Sequence, residues 1–159
     1  MANKIIWDGL PSASVIMAAD TAGMLLTLAN DGIGVSSEVA NGVAANNTMM
    51  SLQLFIQSYA AAPSAGGYFE VHVVYKLDDT NFADGEAGDV ATPNLSAATL
   101  VGVIPVDATD ESMYLPLIGI PIHPFDFKVC IVNKTGQALE DGNPDTSTLT
   151  AFLYSAEVQ

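Results

Sequence analysis

The chain has 159 residues, half of them apolar and 14% charged. That length makes about one domain able to build its own core, and the apolar content excludes an intrinsically disordered chain, which needs low hydrophobicity alongside its charge. The charge is one-sided, 18 Asp and Glu against four Lys and no Arg, a net of −14; Lys4, Lys76, Lys128 and Lys134 are too few and too scattered to bind phosphates, so no nucleic acid and no membrane surface is expected as a partner.

In chain order, Met1 to Trp7 carries a single lysine and no long apolar core, and Ser14 to Ala19 is too short for the hydrophobic stretch of a cleaved signal peptide. Nothing approaches the ~20 apolar residues of a membrane span. A soluble protein, not secreted by a cleaved signal, is expected. Within residues 1–12, Ile5, Ile6 and Trp7 precede Gly9 and Pro11 as an extended apolar segment. Such a segment can add to a neighbour's sheet edge as a docking arm; the other reading is that it closes this domain's own sheet. Weak strand signals follow near Ser14 to Met17, Met24 to Leu28 and Ile33 to Val39, and Ala40 to Ala45 has room for one short helix before Asn46-Asn47.

Clearer patterning begins at Met50. Met50 to Tyr59 sets Leu52, Leu54 and Ile56 against Gln53 and Gln57, with Phe55 and Tyr59 making the second face partly apolar. Tyr68 to Leu77 alternates more cleanly, Phe69, Val71, Val73, Tyr75 and Leu77 on the buried side and Glu70, His72 and Lys76 on the other. Further strands are predicted at Ala98 to Val106, Met113 to Ile118, Phe125 to Asn133 (Phe125, Phe127, Val129 and Ile131 on one face) and Thr148 to Val158. Between these runs lie the turn formers Asn30-Asp31-Gly32, Ala62 to Gly67, Asp84-Gly85, Thr92-Pro93-Asn94 and Asp141 to Pro144. Short strands punctuated in this way, with no long helical period between them, predict an all-β fold: a single antiparallel β-sandwich over residues 1–159, of the jelly-roll or Greek-key barrel kind.

Catalytic signatures are sparse. A triad needs a nucleophile beside a His oriented by a carboxylate. The only histidines are His72, on the polar side of its strand, and His123, between Ile122 and Pro124, and both read as surface or loop residues. The lone Cys130 lies in the apolar run Phe127 to Val132 and reads as a small buried hydrophobe. Zinc and redox sites lack ligands, and no cofactor is expected. Oxygen ligands crowd together only in Leu77 to Asp89, where Asp78, Asp79, Asn81, Asp84 and Glu86 form a candidate cation loop. A calcium ion wants about six to eight such oxygens, although Asp, Asn and Gly also make up any long solvated turn. What stands out is high apolar content with charge of one sign, which suits a subunit that docks onto something large.

The order of features resembles small virion proteins of tailed bacteriophages, of the head decoration or cement type. The resemblance rests on the strand Leu52 to Tyr59, a Gly-rich turn, the strand ending in Leu77-Asp78-Asp79-Thr80-Asn81-Phe82-Ala83-Asp84-Gly85, then Gly119-Ile120-Pro121-Ile122, Phe125-Asp126-Phe127-Lys128, Val132-Asn133-Lys134-Thr135-Gly136 and a last strand ending near Tyr154. It covers residues 48–158 and leaves the first 47 outside. It implies a non-enzymatic β-sandwich, made in the host cytoplasm, that binds the major capsid protein on the capsid exterior as a homo-oligomer, a trimer by analogy, and clamps neighbouring capsomers. It transfers no site residues. The alternative is a tail or fibre module, an adhesin in which exposed aromatics such as Tyr68, Phe82 or Tyr114 stack on carbohydrate; a hydrolase on the same scaffold is the third reading and has little machinery to draw on.

Overall fold

The computed structural model describes residues 5–7, 12–18, 25, 28–42, 45–78, 82, 95, 99–108, 112–139 and 147–158. These contain ten strands: β1 (Ile5–Trp7), β2 (Ser12–Ala18), β3 (Ile33–Val35), β4 (Met49–Ile56), β5 (Tyr68–Tyr75), β6 (Leu100–Pro105), β7 (Met113–Pro121), β8 (Phe127–Lys134), β9 (Thr148–Tyr154) and β10 (Ala156–Val158). Eight of them form two four-stranded sheets, ordered β2-β9-β4-β7 and β3-β8-β5-β6, and β1 pairs with β10 as a separate ribbon. Every pairing is antiparallel. The protein is therefore the all-β antiparallel sandwich that the sequence predicts.

Alternation decides which residues meet between the sheets. Met50, Leu52, Leu54 and Ile56 of β4 are buried and share one core with Phe69, Val71 and Val73 of β5, Phe127, Val129 and Ile131 of β8, and Leu149 and Ala151 of β9. Burying each of the larger side chains contributes about 1.5–3 kcal/mol relative to leaving it in water. Leu25 and Leu28 reach this core without a strand: Leu28 N–H bonds Leu25 O in a turn, and residues 24, 26 and 27 of the expected strand lie outside the described residues. No helix occupies the described part of 40–45. Gly42 O instead accepts from the N–H groups of Ala45 and Asn46, and Asn46 sits at φ 46°, a left-handed turn.

Several boundaries differ from the expected ones, β5 ending at Tyr75 and leaving Leu77 exposed among them, and three have a local reason. β8 begins at Phe127, leaving Phe125 about half exposed, because Asp126 is occupied elsewhere: its Oδ1 accepts the backbone N–H of Asn41 and of Gly42, both at 2.7 Å. β7 runs on to Pro121, its register against β4 shifting between Met50 and Leu52 near Gly119, which holds φ +75°. The last strand divides at Ser155, so β9 lies between β2 and β4 while β10 leaves to meet β1.

Loops at one end are tied by Asn133, fully buried at the end of β8. Its Nδ2 donates to Leu28 O (3.0 Å) and Gln137 O (2.8 Å), and its Oδ1 accepts from the N–H and hydroxyl of Thr135. The Asn133 to Gly136 turn is thus held from inside, and Gly136 occupies φ +81° with its N–H on Asn30 Oδ1.

Candidate docking surfaces and the acidic loop

The two sheets treat their outer faces differently. Outward residues of β5 and β8 are Tyr68, Glu70, His72 and Val74 beside Lys128, Cys130, Val132 and Lys134, with His72 opposite Cys130 and Val74 opposite Lys128. Val74 and Cys130 are buried because Phe82, from the connection between β5 and β6, packs on them with Leu95 beside it. Val74, Phe82 and Cys130 form a second small core against which Ile33, Val35 and Leu95 pack. Lys128 lies beneath it with Nζ 4.2 Å from the centre of the Phe82 ring, a cation held against an aromatic face.

His72 is accordingly not the surface residue that alternation alone suggests; it is 5% exposed. Its Nδ1 shares a hydrogen bond with Thr99 Oγ1 at 2.9 Å, and its Nε2 has no hydrogen-bond partner and lies 3.7 Å from a Glu70 carboxylate oxygen. His123 is exposed as expected, its ring edge-on to Tyr75 at 5.2 Å, and its backbone carbonyl accepts from Asn41 Nδ2. The two histidines sit apart, one packed under a loop and the other at a turn.

Of the candidate cation loop, Asp78 is exposed, and Asp79, Asn81, Asp84 and Glu86 lie outside the described residues. Among the described residues no three His, Cys, Asp or Glu gather as metal ligands. Asp78 borders an open cavity of about 270 Å³ lined also by Gly42, Lys76, Leu77, Pro124, Phe125 and Asp126. Its other charged groups are engaged in holding the loops: Asp126 on the Asn41 and Gly42 amides, and Lys76 on Glu38 with its Nζ 2.9 Å and 3.0 Å from the two carboxylate oxygens.

Ile5, Ile6 and Trp7 pair with Val158, Glu157 and Ala156 respectively. The segment therefore makes a ribbon with a strand of its own chain. Nor does the fold assemble the three aromatics considered for carbohydrate. Phe82 is buried, Tyr68 lies on the outer face of β5, and Tyr114, 66% exposed, lies on β7 in the opposite sheet.

Strand-by-strand reading missed the feature that is largest in extent. None of the residues of β2, β4, β7 and β9 carries a charge, so the whole β2-β9-β4-β7 sheet is uncharged in a chain of net −14. The other sheet carries Glu70, Lys128 and Lys134. Outward from the uncharged sheet stand Val15, Thr150, Gln53 and Pro116 in one row across the strands, with Phe55 and Tyr114 paired beside them at a ring separation of 4.5 Å. Val15 and Ile118 are well exposed at its two edges. The signal was present in the sequence as four strand segments without Asp, Glu or Lys; that they fall side by side is set by pairing over long separations, which local periodicity does not carry. Comparison with known proteins finds no family model that matches this chain and no similar protein among the curated ones.

Proposed function

We propose that this protein is a non-enzymatic structural subunit that decorates and stabilises a phage head by binding the major capsid protein on its outer surface. The observation that carries the reading is the uncharged sheet. In a chain of net −14, a sheet whose four strands carry no charge of either sign has a surface suited to contact with protein rather than water. The strand orders β2-β9-β4-β7 and β3-β8-β5-β6 are those of two interleaved Greek keys, and they support a jelly roll, an architecture that virion proteins share with lectins and cupins. The side chains that catalysis would draw on have structural work: His72 is packed under a loop, and Lys76 and Asp126 tie loops together. Decoration of this kind uses many copies of a modest interface, whose avidity comes from repetition.

The test is rebinding. Purified protein added to heads stripped of it should restore saturable binding and raise the temperature at which the heads release their contents. Absence of rebinding, or turnover of a small molecule by the free protein, overturns the proposal.

A further inference from the structure

We infer that the uncharged outer face of the β2-β9-β4-β7 sheet is occupied by the same face of a second copy of this chain, related by a two-fold axis. The inference rests on reading this sheet as a contact surface, and it names the partner.

Charge is the first argument. A partner that recognised this face by electrostatics would need carboxylates there to meet its basic groups, and the four strands have none. Two copies of a chain of net −14 repel wherever their acidic surfaces meet. Face on face keeps every charged side chain of the two four-stranded sheets, Glu70, Lys128 and Lys134, out of the contact, and the second copy supplies a surface that is uncharged for the same reason. Self-complementarity follows from the symmetry: with strands ordered β2-β9-β4-β7, the centre of the face lies between β9 and β4, where Thr150 and Gln53 are cross-strand partners. A two-fold axis there sets Thr150 and Gln53 near their own counterparts, with Phe55 and Tyr114 reaching across toward the β2 edge of the other copy.

Size is the second argument. Four strands about 4.8 Å apart, with seven to nine residues in the outer ones at about 3.3 Å each, give a face of about 500 Å². Two such faces bury about 1,000 Å², the area at which a specific interface begins to be stable. Edges are the third. Sheets also associate by adding strand to strand, but β7 presents Pro116 and Pro121, which have no N–H to donate, and β2 breaks register between Val15 and Met17. Face packing is left. The opposite sheet is partly covered by its own chain, Phe82 and Leu95 lying against Val74 and Cys130.

Sedimentation equilibrium over a concentration series tests this without any phage head. A species of twice the chain mass is expected, tightening or unchanged as salt rises because screening weakens repulsion between like-charged copies. Gln53→Lys, at an exposed position, should weaken association about tenfold or more by burying like charges near the axis, and Thr150→Glu should do the same from the neighbouring strand. Val103→Lys, on the other sheet, should leave it unchanged. Mixing Gln53→Lys with Gln53→Glu should restore a pair, which only a contact between two copies of this face can do. A monomer at every attainable concentration overturns the inference, as does a dimer or trimer indifferent to Gln53→Lys and Thr150→Glu, or a face that becomes covered only on heads. A monomer that still rebinds heads sinks this inference alone, whereas a pair that fails to rebind sinks the head-decoration reading alone.

Discussion

Asn133 is the residue on which the loops at one end of the sandwich converge. Its amide satisfies the carbonyls of Leu28 and Gln137 and anchors Thr135, all in a site closed to water. Replacing it by Ala removes four hydrogen bonds at once: Leu28 O keeps the N–H of Leu139 and Gln137 O keeps the hydroxyl of Thr135, but the buried N–H of Thr135 loses its acceptor, a cost larger than that bond's net worth. Asn133→Ala is expected to lower unfolding stability by about 2–4 kcal/mol in a urea titration. Lys134→Ala, next door and bonded only to the exposed Asp31, should change it little. Tyr59 supplies a pH-dependent contribution. Burial pushes its phenol well above the ordinary value of 10.0, and that of Tyr75 upward for the same reason. Below pH 10 the phenol is neutral folded or unfolded, so it contributes no pH dependence. Above that value only the unfolded chain ionises, and stability falls with each unit by about 1.4 kcal/mol per such tyrosine until the folded phenol also titrates. Tyr59→Phe should therefore move the alkaline unfolding midpoint to higher pH, followed by circular dichroism, at a cost near neutrality of about 1 kcal/mol for the lost hydroxyl contacts.

Among the elements, the covered outer face of β3-β8-β5-β6 makes a prediction about Cys130. Its thiol is buried beneath Phe82 in the second core, so a thiol reagent should reach it only when the β5–β6 connection lifts or the protein unfolds. Phe82→Ala removes that cover: modification of Cys130 should accelerate by about tenfold or more under native conditions, with stability lowered by about 2–4 kcal/mol. Equal labelling rates in the two proteins would show that Phe82 does not shield it. The same region shows what the sequence conveyed and what it did not. β4 and β5 were legible because one face of each is wet or partly so, and period-two alternation survives. Cys130 was recognised as buried for its apolar neighbours. His72 was misread, since alternation reports which side of a strand a residue is on and says nothing of what lies over that side; its partner Thr99 comes from the turn-rich connection between β5 and β6, which has no periodic signal. Phe125 was set on the face of Phe127, Val129 and Ile131 by the same alternation, and the hydrogen bonds that hold Asp126 in a loop come from Asn41 and Gly42, far back in the chain.

Over the whole molecule the excess of acid sets the response to salt. Screening weakens the attraction in the Lys76–Glu38 and Lys134–Asp31 pairs, both near the surface, and it weakens the mutual repulsion behind a net charge of −14. Exposed pairs contribute little, and the repulsion is summed over many more groups, so the second effect wins. Thermal unfolding should shift upward by a few degrees, about 1 kcal/mol, between low and physiological ionic strength; a downward shift in scanning calorimetry would mean that the pairs dominate.

The interleaving of strands also fixes when the molecule can take shape during synthesis. β9 lies between β2 and β4, and β8 lies between β3 and β5, so each sheet receives an interior strand from late in the chain. A nascent polypeptide that has emerged only as far as β7 holds β2 and β4 with nothing to bridge them and leaves the apolar rows of both unsheltered. The β4–β7 and β5–β6 pairs need nothing beyond residue 121, but neither sheet can be completed before residues 127–154 are made, so the closing of both waits on long loops, and until then the negative charge of the growing chain opposes its association with neighbours.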